Sequence, residues 1–302
     1  MKTKLTVGDV VFNFFNYTFF ILFTLLCAFP FYYMIINSIS ANDLAGAGRI
    51  LFIPRGIHFD NYVSVFNLRG LPMAAFISFS RTVLGTSLSV VFTGFLGFAI
   101  SRTELWGRKI WYRFFVITMF FNAGLIPWFM TMRSLGLTNT FLVYIIGFIN
   151  PFNLILVKTY IENAVPASIQ ESAEIDGAGY LTLYFKILMP LCKPILATIA
   201  IFTAVGHWNS FMDTVFLITN TRLFTLQYVL YQYLNEAQAL VSMMRAAAMA
   251  GGGGGIQETA RLLTPTSVRM TVSIVIMLPI MLVYPFFQRY FVKGIMVGAV
   301  KG

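Results

Sequence analysis

The sequence predicts an all-α, polytopic membrane protein with six transmembrane helices, and three observations predict it. Hydrophobic residues fill 58% of the 302 positions and charged residues only 11%. A water-soluble domain of this length has no interior large enough to bury so much apolar side chain. The apolar residues also come in long runs, without the period of about 3.6 or 2 that marks half-buried elements, so hydrocarbon must be the solvent for much of this surface. Nothing shows the roughly ten-residue alternation of a lipid-facing barrel, which leaves helices to satisfy the backbone in lipid.

A bilayer core about 30 Å thick takes about 20 residues of helix. Six stretches meet that test: 11–38, 73–100, 110–132, 140–161, 194–218 and 271–291. The first follows Lys2 and Lys4 but is too long for a secretory h-region and lacks a small-residue cleavage site. The run FTLLCAF around Cys27 also lacks the small residue that a lipoprotein site needs, so this stretch is an anchor that stays. An outer loop, 41–72, carries turn residues at Pro54-Arg55-Gly56.

The second stretch contains Arg81, about a third of the way in from the outer end, where a charge is costly. It is expected to snorkel to the interface, with a cavity-facing role as the alternative. In the same stretch Gly85, Ser89, Thr93 and Gly97 form a small-residue ridge at i, i+4, which reads as tight helix packing. Asn122 and Trp128 fall in the third stretch, Asn150 and Asn153 in the fourth, and His207, Trp208, Asn209 and Asp213 in the fifth. The segments 163–193 and 220–270 lie between stretches, inner and outer respectively. The run Gly251–Gly255 in the second of these reads as a flexible connector. No Lys-Ser/Thr follows it, so it is not a phosphate cradle.

Orientation follows from the basic residues. With the N-terminus inside, the short inner segments hold Lys2, Lys4, Arg102, Arg108, Lys109, Arg113, Lys158, Lys186, Lys193, Arg289, Lys293 and Lys301. The outer segments hold Arg49, Arg55, Arg69, Arg133, Arg222, Arg245, Arg261 and Arg269, spread over more chain. An even number of spans then puts both termini in the cytoplasm. The net charge of +10 is scattered between apolar runs and forms no basic stripe, so it reads as topology and not as nucleic-acid binding. Cys27 and Cys192 sit in different environments and are not expected to pair.

The segment from Pro166 to Pro194, PASIQESAEIDGAGYLTLYFKILMPLCKP, carries the most information. A short helix opens at Pro166-Ala167-Ser168, with Glu171, Glu174 and Asp176 on it. Gly177-Ala178-Gly179 would break it. Tyr180, Leu183, Tyr184, Ile187 and Leu188 then recur at helical spacing, and a second amphipathic helix ends at Pro190 and Pro194. Two short helices bent at a glycine, with an acidic end and an apolar flank, make a knob suited to a groove on a soluble partner. An interfacial helix on the headgroups fits less well, because the inner leaflet is negative.

This segment resembles the coupling loop of binding-protein-dependent ABC permeases, whose signature is E-A-A, three residues, Gly, nine residues, then I-x-L-P. Glu171, Ser172 and Ala173 are followed by Gly177, Ile187, Met189 and Pro190 at those spacings; Ser172 for Ala and Met189 for Leu are the departures. The runs SRTELWGRK (101–109), GLIPWFMTMRSLGLTNT (124–140) and YPFFQRYFVKGIMVGAVKG (284–302) extend the resemblance over almost the whole chain, toward carbohydrate permeases of the maltose-permease-like family. Within it, the chain is similar to the subgroup that takes oligosaccharides from pectin or alginate.

The resemblance implies a single type I ABC transmembrane domain over 1–302, in the bacterial cytoplasmic membrane. It implies a second homologous permease, two copies of a nucleotide-binding ATPase subunit and an extracytoplasmic solute-binding protein, with membrane lipid around them. ATP and Mg would be held by the partner; no cofactor or metal is expected on this chain, which has no G-x-x-x-x-G-K-[ST] run. Glu171, Ser172, Ala173, Asp176, Gly177, Ala178, Ile187 and Pro190 are the residues expected to couple to the ATPase. Glu171 would meet a charged partner, Gly177 would make a turn that a Cβ hinders, and Pro190 would fix the helix exit.

For the solute path the intramembrane polar and aromatic groups are the candidates: Arg81, Asn122, Trp128, Asn150, Asn153, His207, Trp208, Asn209 and Asp213. Aromatic faces and amides suit sugars, although polar side chains also hold helices together. The outer loop 220–270 would face the binding protein. An ion-coupled secondary transporter is the alternative, with Asp213 as its only support, since no Lys or Glu partner lies in neighbouring spans. A membrane enzyme is disfavoured by an inventory of two histidines, His58 and His207, without a metal-ligand pattern.

Overall fold

The computed structural model describes residues 6–147, 149–249 and 265–299, and all regular structure among them is helical. The Gly251–Gly255 run, with Lys2, Lys4, Arg261 and Lys301 of the charge pattern, lies outside the described residues. Two groups of elements each pack within themselves, one formed by the described residues of 1–68 and 230–278, the other by those of 69–229 and 279–302.

In the first group α1 runs over Val7–Ser38, about 48 Å at 1.5 Å per residue. A capping box starts it: the Thr6 hydroxyl accepts from Asp9 N (3.3 Å), and Asp9 Oδ2 accepts from Thr6 N (2.9 Å). Its flanks expose Phe12, Phe14, Phe15, Phe19, Phe20 and Phe23, a surface for hydrocarbon. Burial begins only at Ile36, Asn37 and Ser38. The 41–72 segment is more ordered than a bare loop, with α2 (Asn42–Gly46) and α3 (Asp60–Phe66). Asn42 and Asn61 join them through paired amides at 2.8 and 3.3 Å, and the Ser38 and Tyr62 hydroxyls meet at 2.7 Å.

In the second group α4 (Leu71–Ser101) is the spine. Then come α5 (Arg108–Phe120), α6 (Leu125–Ser134), a 3-10 turn at Phe141–Tyr144 and α7 (Pro151–Ala164). After them α8 (Ala167–Ile175), α9 (Tyr180–Leu191), α10 (Lys193–Asn209) and α11 (Met212–Leu217) complete the group. Two helices run through both groups, α12 (Leu226–Met249) and α13 (Pro265–Ala299). The 220–270 segment, expected as a loop, thus contains a 24-residue helix.

The ridge on α4 packs as its small residues predict. A Cβ on Gly97 would lie 2.7 Å from Val157 Cγ1 on α7, and one on Gly85 would lie 2.5 Å from His207 Nε2 on α10. The Ser89 and Thr203 hydroxyls approach to 3.5 Å. Backbones come this close only where side chains are nearly absent.

Three of the six expected stretches are single long helices, α1, α4 and the Thr266–Phe286 part of α13. The other three are interrupted. Residues 110–132 divide into α5 and α6, bent by 119°. Asn122 Oδ1 there accepts from Gly124 N at 2.9 Å, and Gly124 has φ +83°, an Asx turn that stops a helix. Residues 140–161 begin as a 3-10 turn. Asn150 then caps α7, accepting from Phe152 N (2.9 Å) and Asn153 N (3.4 Å), with Pro151 in its first turn. Residues 194–218 break at Ser210, whose backbone is extended between α10 and α11.

Candidate functional site: a helical knob and a buried polar cluster

The knob is α8 and α9 with the turn between them. Helix α8 ends in a Schellman motif: Gly177 N donates to Glu174 O (3.0 Å) and Ala178 N to Ala173 O (2.9 Å). Gly177 holds the left-handed position at φ +76°, and a Cβ there would meet nothing within 4 Å. The demand for glycine is conformational, not steric.

Ala173 is 6% exposed and joins Leu183, Tyr184 and Leu188 in one apolar cluster with Phe98 of α4, Val157 and Ile161 of α7, and Leu196 and Ile199 of α10. Tyr184 anchors the cluster, stacked on Phe98 (centroids 5.8 Å apart) and donating to Val91 O at 3.1 Å. The motif residues Ser172, Ala173, Asp176, Ala178 and Ile187, with Ser168 and Ile169, line one shallow depression between the two arms. Glu171 is exposed beside a second depression lined by Arg102, Arg108, Glu162 and Glu174. Ile175, Tyr180, Leu181 and Phe185 are exposed apolar residues on the same knob.

The second arm ends at Leu191, between Pro190 and Pro194, with Pro190 inside its last turn. The wide π turn over Leu183–Leu188 precedes it. A proline lacks the N–H for an i→i−4 bond and crowds that carbonyl, and the wider turn gives it room. The chain bends by 83° only between α9 and α10.

A charged network that sequence reasoning missed ties the knob to the end of α4. Arg102 Nη1 donates to Gln170 Oε1 at 2.9 Å, Nη2 pairs with the Glu174 carboxylate, and Nε lies 3.0 Å from Glu104 Oε2. Alongside it, Arg108 Nε donates to Ile100 O at 2.9 Å and its Nη2 pairs with Glu162, which also takes Lys158 Nζ at 2.7 Å. Glu104 has its carboxyl held below the usual range by its own backbone amide and by the Thr103 hydroxyl. The i, i+4 pair Gln170–Glu174, facing a basic run after a span, was the available signal.

The second site lies near the other end of α4. Arg81 does not snorkel: it is 3% exposed. Its Nη1 donates to Asp213 Oδ1 (3.2 Å) and Ser210 O (3.0 Å), its Nη2 pairs with Asp213 Oδ2, and its guanidinium lies 4.6 Å from the Tyr144 ring centroid. Burying a guanidinium alone is costly, so it takes the carboxylate, the ring and a carbonyl freed by the break in the fifth stretch. Asp213 is therefore not the unpartnered acid that the sequence suggests; its partner is an arginine 132 residues away.

Around this pair a hydroxyl chain closes. The Tyr144 hydroxyl meets Thr214 Oγ1 at 2.9 Å and donates to Leu223 O at 2.7 Å, Thr214 meets Thr225 at 3.1 Å, and Ser78 Oγ accepts from Leu226 N at 2.8 Å. Asn139, in the left-handed region at φ 56°, accepts from Thr219 N (2.6 Å) and Asn220 N (3.0 Å).

Of the nine solute-path candidates, Arg81 and Asp213 are in contact, and His207 packs on Gly85, one turn along α4 from Arg81. Trp128 packs on the cluster of Ile77, Tyr144 and Leu217. Asn153 is buried, Trp208 half-buried and Asn209 exposed. Asn122 and Asn150 accept through Oδ1 from the backbone of the turns they start.

The comparisons agree with this architecture. The chain is 32% identical over 293 residues to the polygalacturonan/rhamnogalacturonan transport system permease protein YtcP of Bacillus subtilis (strain 168), covering 97% of this chain and 99% of that one. It is 34% identical over 279 residues to Protein LplC of the same strain, covering 90% and 89%. A solved structure described as a bacterial ABC transporter involved in the import of the acidic polysaccharide alginate matches with a TM-score of 0.76 and 29% identity, over 96% of this chain and all of that one. No protein-family model matches the sequence. The chain belongs to the permease subunits of sugar-importing ABC transporters. It is an all-α, multi-pass membrane protein that serves transport.

Proposed function

We propose that this chain forms half of the translocation path of an importer for oligosaccharides cut from an acidic polysaccharide, and that its knob docks a separate ATPase subunit. The observation that carries the docking is the gathering of Ser172, Ala173, Asp176, Ala178 and Ile187 around one open depression, beside an exposed apolar flank. An acidic rim with Ile175, Leu181 and Phe185 suits a groove of mixed apolar and basic character.

The assembly then comprises a second homologous permease, two copies of the ATPase subunit that bind ATP and Mg, and an extracytoplasmic binding protein. Both termini and the knob lie in the cytoplasm, where the ATPase is. Closure of the ATPase pair carries the knobs, and the spans above them switch the cavity between its two openings. An acidic oligosaccharide is supported by the polygalacturonan and alginate relatives. Arg81 is not its anchor, because Asp213 already neutralises that charge. The same pairing removes the support for an ion-coupled carrier, which needs a carboxylate free to exchange its ion.

The experiment reconstitutes the complex in liposomes with its binding protein. Uptake of trigalacturonate that follows internal ATP and ignores proton and sodium gradients is the expected result. An Asp176→Cys probe in a Cys27→Ser background should label only from the side that faces the ATPase. Labelling from the opposite side, or uptake driven by an ion gradient, sinks the proposal; preferential uptake of maltotriose would sink only the acidic solute.

A further inference from the structure

We propose that Arg102 is the positioning residue that fastens both arms of the knob to α4, so that knob and membrane helix move as one body. The inference rests on the knob being the ATPase dock. Arg102 is the residue at which α4 stops, with an extended backbone at φ −68° and ψ 133°. Its side chain is 11% exposed although it ends a helix in a charged loop. One edge of its guanidinium holds Gln170 and Glu174, a turn apart on one face of α8, and its Cζ lies over the ring of Tyr180, the first residue of α9, 5.8 Å from the centroid. A single guanidinium thus grips the first arm by hydrogen bonds and meets the second through a cation–π contact.

The knob also touches α4 through Tyr184, which stacks on Phe98 and donates to Val91 O at 3.1 Å, but that contact holds the second arm at one point, and the apolar packing that joins the first arm to it is non-directional. A forked set of donors fixes distance and orientation together. Lysine offers one compact ammonium in place of the planar fork that reaches two acceptors on α8 from one position. Glu174 and Glu104 are substantially exposed, so salt screens their charge and the fork geometry carries the constraint. Arg102 and its neighbour Arg108, which read in the sequence only as topology signals, are both committed to named partners at this end of the helices.

The test uses the full complex in liposomes, with trigalacturonate as solute, and compares wild type with Arg102→Gln, Arg102→Lys and the double variant Gln170→Ala/Glu174→Gln. In Arg102→Gln the ATPase subunit should co-purify at the wild-type ratio and basal ATP hydrolysis should persist. Solute imported per ATP should fall about tenfold with KM unchanged, the signature of a lost transmission contact. The double variant should match it, and Arg102→Lys should recover only part. Wild-type solute per ATP in Arg102→Gln overturns the proposal. So does loss of the bound ATPase from that variant, because Arg102 would then merely shape the dock. A wild-type complex that purifies without an ATPase overturns the docking reading itself, a failure visible before any variant is made.

Discussion

Removing the Asp213 carboxylate should destabilise the protein far more than removing Asp213 and Arg81 together. Arg81 is 3% exposed and the Asp213 side chain 11%, so neither charge recovers water when its partner goes. Breaking one side of a buried pair costs about 3–5 kcal/mol. In Asp213→Ala, Arg81 keeps the Ser210 carbonyl at 3.0 Å and the Tyr144 ring, which places the cost near the lower end, about 3 kcal/mol. In Arg81→Met, Asp213 keeps Thr214 N at 3.0 Å and a long contact from the Ser210 hydroxyl at 3.4 Å, and the cost is of the same order.

Replacing both partners by apolar groups of similar volume is often neutral, so Arg81→Met/Asp213→Leu should return close to wild type. At about 2 °C per kcal/mol for a chain of this length, each single variant loses about 6 °C in thermal unfolding of the purified protein in detergent. The double variant should stay within about 3 °C of wild type. A double variant whose loss equals the sum of the singles would show that the two side chains do not interact, and the reasoning would be wrong.

Three further outcomes follow from named contacts. Gly97→Ala should destabilise by about 1–3 kcal/mol, because its Cβ would sit 2.7 Å from Val157 and 3.3 Å from the Leu154 carbonyl, whereas Gly48→Ala meets open space and loses only the left-handed preference; thermal unfolding ranks the two. Gly177→Asn should keep most uptake while Gly177→Val and Gly177→Pro abolish it, since asparagine tolerates φ near +76° and β-branched residues and proline do not; equal uptake in all three would remove the turn from the mechanism. Asn150→Ala should cost about 1 kcal/mol through the lost cap on α7, and Asn150→Asp or Asn150→Ser should restore the stability if capping, not solute contact, is its role.

Much of the candidate site was legible in the sequence where the signal is local. The knob follows from a spacing of residues within one 29-residue segment, and its glycine turn closes through hydrogen bonds to residues three and five positions back. The ridge of Gly85, Ser89, Thr93 and Gly97 announced close packing, and His207 and Val157 supply the partners. The interrupted spans were signalled too, by Asn122 with Gly124 and by Asn150 before Pro151. Those asparagines sit in apolar runs, so their polarity read as solute contact, and the structure adds that their Oδ1 atoms accept from the backbone they interrupt. A side chain's polarity is visible in a sequence, while the group that consumes it is not.

The sequence by itself determined the solvent, the class of architecture and the place of the knob, because hydropathy sums over a local window and the motif is a matter of spacing. Only the tertiary structure decided that Arg81 meets Asp213 across 132 residues and that Arg102 grips Glu174 across 72. Such pairs depend on which two helix faces the packing brings together. A charge costs little or much according to what surrounds it in space, and no stretch of neighbouring residues records that.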